Sequence, residues 1–150
     1  MKIVSSRKFI KNSADHQPII LYLPSFPSQE LDQISLRKLL EKGVIVAQPI
    51  SFRGTFTTDM LNLLRGTKDN WIDCINDIRS CLKFIKESLS DRVSIYANGE
   101  VMSYLTLLLN IIENQDNSLF DCCVLHDGLY DLTNIPEKTQ YFFGEDPKIW

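Results

Sequence analysis

The chain has 150 residues, enough for one domain with its own core, and its 44% hydrophobic and 23% charged residues are the balance of a globular protein. The net charge of -3 and the scattered lysines exclude the basic footprint of a nucleic-acid binder. No run approaches the roughly 18 consecutive apolar residues of a membrane helix, and the N-terminus has no apolar stretch of signal-peptide length.

Residues 1–17 read as an N-terminal extension or an edge strand. Ile19-Ile20-Leu21-Tyr22-Leu23, between Pro18 and Pro24, is a compact apolar run that predicts a buried strand. Pro24 to Ser28 is a loop by composition. From Leu31 to Lys42 the apolar residues fall near helical spacing, and Gly43 is placed to stop that helix. Val44 to Ala47 predicts a second buried strand, ended before Pro49.

Ser51 to Lys68 is irregular, with Gly54 and Gly66 as breakers and a short helix expected from Thr58 to Leu64. Asp69 or Asn70 is suited to cap a long helix reaching about Leu89, whose apolar residues repeat every three to four positions. Arg92 to Tyr96 predicts a third strand. Ala97-Asn98-Gly99-Glu100 then turns sharply into an apolar helix from Val101 to about Asn114. Asp121 to Leu125 predicts a fourth strand, and residues 127–150 form a loop-rich tail with a short helix near its end.

Strands alternating with helices imply parallel βαβ units. The predicted fold class is α/β: a single domain over residues 1–150, a three-layer sandwich around a mostly parallel sheet of four to five strands. Unbroken apolar runs fit strands covered on both faces. The four cysteines fit neither a zinc site nor a disulfide framework. They read as small buried hydrophobes, Cys74 and Cys81 on one helix face and Cys122 and Cys123 on opposite strand faces. Reduced thiols fit a cytoplasmic protein.

The order of these parts resembles the catalytic domain of the prolyl oligopeptidase family of serine peptidases, which are α/β-hydrolases. The resemblance runs from about Pro18 to Trp150. It rests on Pro18 to Leu23, on Gly43-Val44-Ile45-Val46 followed by Phe52-Arg53-Gly54, and on Gly66, Trp71 and Asp77. Val93 to Val101 matches the strand and helix around the nucleophile elbow, and Phe120 to Asp131 and Tyr141 to Gly144 resemble later segments.

The resemblance implies a Gly-x-Ser-x-Gly elbow, but Ala97 and Val101 stand where the glycines belong and Gly99 stands at the serine. The family's His-Gly-Gly-type turn after the first strand is replaced by Pro24-Ser25-Phe26-Pro27, and proline has no N–H to give an oxyanion. Glu100 would put a carboxylate beside that oxyanion. The family's catalytic Asp and His come later than anything aligned here. The expectation is therefore a truncated, catalytically inactive hydrolase-like domain, a relic or a binding and assembly module, with no cofactor and no metal site. The alternative is one part of a split or longer serine peptidase or esterase acting on peptides or small esters.

No catalytic residue is expected; the vestigial elbow is Asn98, Gly99 and Glu100. Ser103 and His126, with Asp127, Ser25 or Ser51, are the residues from which a relocated dyad would have to come. His126 otherwise reads as a hydrogen-bonded strand-end residue. Ser25, Asn98, Glu100 and His126 are the candidate ligand contacts. Arg53 reads as structural, paired with Asp73 or Asp77, rather than as an anion site. The spatial order of the four strands should be second, first, third, fourth. That leaves the fourth as an exposed edge and predicts a homo-oligomer or a partner chain, with no nucleic acid and no membrane.

Overall fold

The computed structural model describes residues 1–5, 17–24, 31–49, 68–113, 119–128 and 130. Among these residues five strands and three helices follow in the order β1 (Lys2–Val4), β2 (Ile19–Leu23), α1 (Gln33–Glu41), β3 (Ile45–Gln48), α2 (Lys68–Ser88), β4 (Val93–Asn98), α3 (Glu100–Glu113) and β5 (Cys122–His126). The sheet order is β1-β3-β2-β4-β5. The four longer strands are parallel in the expected order, and β1 joins β3 antiparallel at one edge.

Helix α1 begins and ends as its sequence dictates. Asp32 is the N-cap, its carboxylate accepting the Ser35 N–H at 2.9 Å. Gly43 adopts φ 79, and the bonds from Gly43 N–H to Leu40 O and from Val44 N–H to Leu39 O close a Schellman turn. The other boundaries shift by one or two residues. Helix α2 starts at Lys68, so Asp69 and Asn70 lie inside its first turn rather than at its cap; cap chemistry alone locates a helix start only to within a residue or two. Strand β4 runs on to Asn98 because β2 pairs with it as far as Ala97 and β5 as far as Asn98. The turn expected over four residues is thereby reduced to Gly99, with φ 87.

Register divides the sheet into two faces. Ile19, Leu21, Leu23, Ala47, Val93, Ile95 and Ala97 are buried against α2 and α3, whose Ile78, Leu82, Ile85, Leu105 and Leu109 complete the core. Ile20, Tyr22, Ser94, Tyr96, Cys122 and Val124 point the other way, toward α1, and line a cavity of about 800 Å³. Helix α1 has no fully buried residue.

All four cysteines are free. Cys74 is buried in α2 and Cys81 is half-buried, and burial pushes the Cys81 thiol pKa up. Cys122 departs from the expectation of burial: it is exposed, and its thiol donates to Ser94 Oγ at 3.2 Å. Alternation along an edge strand puts it on the face that α1 leaves open. Among the described residues no helix is long and apolar enough to cross a membrane. The helices expected at 58–64 and near the C-terminus, and Arg53, fall outside the described residues; Asp73 and Asp77, its expected partners, lie in α2.

Candidate functional site

The site lies at the C-terminal ends of β2, β4 and β5, the edge at which open α/β sheets carry their ligands. It is built around the turn from β4 into α3. The positive φ of Gly99 belongs to the region that an L side chain enters at a cost, so glycine is the least strained residue there.

Two hydrogen bonds lock the turn to β5. Gly99 N–H donates to His126 O at 2.8 Å. Ser103, one helical turn on and fully buried, donates its hydroxyl to the same carbonyl at 3.1 Å, with Ala97 O at 3.4 Å. The partner of Ser103 is therefore the backbone of His126 and not its imidazole. A serine hydroxyl in that position satisfies the strand ends and is closed to solvent.

The side chains form a second layer. Asn98 and His126 are register partners, and Asn98 Oδ1 lies 2.9 Å from His126 Nδ1. Asp127, at φ 52, brings its carboxylate to 3.7 Å from the same nitrogen. The Asn98 side chain also hydrogen-bonds Tyr22. Burial raises the Tyr22 pKa above its ordinary value, and the Asn98 contact opposes that shift without cancelling it. The phenol therefore stays protonated at neutral pH. Tyr22 stacks on Tyr96 with ring centroids 5.6 Å apart, and Tyr96 stacks on His126 at 6.3 Å.

Asn98, Gly99, Ser103 and His126 thus lie together at this edge. Glu100 opens α3, where its backbone N–H belongs to the unpaired first turn; its side chain is outside the described atoms. Pro24 follows β2 at the same edge and is buried. Ser25 and Ser51 lie outside the described residues. No group of three metal-binding side chains occurs among the described residues.

Tyr22 and Tyr96 were not among the expected site residues. Their signal was present as alternation: Tyr96 and Asn98 are two apart on one strand, hence on one face. Tyr22 reaches that face only through the pairing of β2 with β4.

No protein-family model matches the sequence, and no curated protein matches it. Solved structures do. The chain is similar to a structure from an analysis of two prolyl endopeptidases, with TM-score 0.66 and 16% identity, over 99% of this chain and 21% of that one. It is similar also to an acylaminoacyl peptidase bound to a chloromethyl ketone, with TM-score 0.62 and 15% identity, over 97% of this chain and 25% of that one. The fold is that of the α/β-hydrolases. A brefeldin A esterase matches more distantly, with TM-score 0.43 and 12% identity over 70% of the chain. The chain spans about a fifth to a quarter of the two peptidase structures. The strand order and the position of the β4–α3 turn are those the sequence resemblance implied.

Proposed function

We propose that this is a catalytically inactive serine-hydrolase-like domain that binds or assembles rather than cleaves. The observation that carries the reading is Gly99 in left-handed conformation at the strand-to-helix turn. A serine hydrolase needs an Oγ, a base to take its proton and an acid to orient that base. Glycine supplies no side chain, and loss of one member of a triad leaves only roughly 10³–10⁴-fold catalysis over water, from the oxyanion hole and binding. Pro24, beside the turn that would supply the second oxyanion donor, has no N–H.

A fluorophosphonate probe tests the reading directly: no serine should be labelled, and labelling of any serine overturns it. Gly99→Ser should not by itself produce ester hydrolysis. Measurable turnover in that variant would show that a working base is already in place.

The alternative, one part of a longer or split peptidase, is weaker for a chemical reason. Another segment can contribute an Asp and a His, but not the nucleophile at position 99. The assembly half of the proposal is supported by β5, an edge strand among the described residues that carries the exposed Val124 and Cys122 and no lysine or proline to deter pairing. Mass measured in solution at micromolar concentration checks it; a clean monomer with no partner argues against assembly. Free cysteines throughout support a cytoplasmic protein.

A further inference from the structure

The imidazole of His126 has one nitrogen in a fully specified setting and one in the open. Nδ1 faces two oxygens, Asn98 Oδ1 at 2.9 Å and Asp127 Oδ2 at 3.7 Å. An amide carbonyl and a carboxylate offer only lone pairs, so the nitrogen between them must carry the hydrogen. The Asn98 side chain also hydrogen-bonds the buried Tyr22. Stacking of Tyr96 on the His126 ring and of Tyr22 on Tyr96 limits the ring's freedom to turn over. Nε2 makes no hydrogen bond to any described residue, and the side chain is 56% exposed.

We propose that Asn98 is a positioning residue that holds neutral His126 as the Nδ1–H tautomer, so that Nε2 stands at this edge as a hydrogen-bond acceptor for a ligand's N–H or O–H group. The tautomer of a histidine is set by the bond its other nitrogen makes. Here that bond reverses the preference of an unconstrained histidine side chain, which carries its hydrogen mainly on Nε2. The chemical class of ligand follows. A peptide amide or an alcohol has a hydrogen to give, and a carboxylate has none. This deepens the reading of the edge as a binding site and rests on it, but the tautomer stands as a separate claim.

Long-range ¹H–¹⁵N correlation of the labelled full chain, at a pH where the ring is neutral, reads the tautomer. The His126 signal is assigned by comparison with His16→Gln. Nδ1 should resonate as the protonated nitrogen and Nε2 as the bare one; the opposite pattern overturns the proposal. Asn98→Leu should return the ring to the Nε2–H form, and Asn98→Asp, which keeps an acceptor, should retain Nδ1–H. An unchanged tautomer in Asn98→Leu would overturn the positioning role. If that variant fails to fold, the wild-type ring and Asn98→Asp still decide.

N-methylacetamide and N,N-dimethylacetamide then probe the ligand class. Only the probe bearing an N–H should shift Nε2. An equal response to both overturns the donor class. Silence with both overturns the binding reading of the edge and leaves the tautomer assignment intact.

Discussion

The two faces of the sheet are built on different principles. Toward α2 and α3, Leu21, Ala47, Val93 and Ala97 are 0% exposed, and two helices press an unbroken apolar layer onto the strands. Toward α1, the only described helix on this side, a cavity of about 800 Å³ remains, and Val124 is 53% exposed among the described residues. Beside apolar residues such as Ile20 and Leu39, this second face carries hydrogen bonds and ring stacking, from Tyr22 through Asn98 and Tyr96 to His126. The first face supplies most of the burial that holds the sheet together. The second carries the specific polar groups, gathered at one edge where a binding site can form.

The largest effect should come from breaking the dry face. Leu105→Ala, at a fully buried position of α3, should lose about 2–5 kcal/mol in denaturant unfolding, from lost transfer energy and the cavity left behind. A loss below about 1 kcal/mol, the size of a single hydrogen bond, would mean that the core is not packed as described. Next is the turn joining the two faces. Gly99→Ala should cost about 1–2 kcal/mol, because a Cβ is strained at positive φ.

Ser103→Ala should cost about 1 kcal/mol by thermal or chemical unfolding. It removes one of two donors to the His126 carbonyl, and Gly99 N–H still satisfies the other.

A smaller effect is expected at the start of α1. Bonds from Ser35 hold the Asp32 carboxyl below the usual range. A carboxyl with a depressed folded pKa contributes stability that is fully present above the unfolded value and is lost as pH falls through the folded value. An acid titration of stability should therefore show a component below the ordinary carboxylate range that disappears in Asp32→Ala. An identical acid profile in that variant would remove the cap from the account. The smallest effect should be Val124→Thr on the open face, within about 0.5 kcal/mol. A loss like that of Leu105→Ala would show instead that this face is covered in solution, and would collapse the contrast between the two faces.

Much of the scaffold was legible from residue order. Pro18 and Pro24 bracket β2, Gly43 ends α1, and the apolar runs without alternation announced parallel strands. Boundaries were less so: β4 extends to Asn98 because β5 pairs with it there, which no local pattern records. Treating cysteine as a small hydrophobe predicts a buried Cys122, yet β5 is an edge strand among the described residues and its outer alternate positions are exposed.

The position of Gly99 between a strand and a helix follows from the sequence by itself, since only a residue without Cβ turns the backbone there without strain. That the turn is made of Asn98, Gly99 and Glu100 is likewise a property of the sequence. What the turn is fastened to was decided by tertiary structure. Asn98 and His126 are 28 residues apart, and Tyr22 lies further off still on β2. They meet because parallel register sets Tyr22 beside Tyr96 and Asn98 beside His126. Register is a property of strand pairs, set by how the apolar faces pack together, and so no single segment contains it.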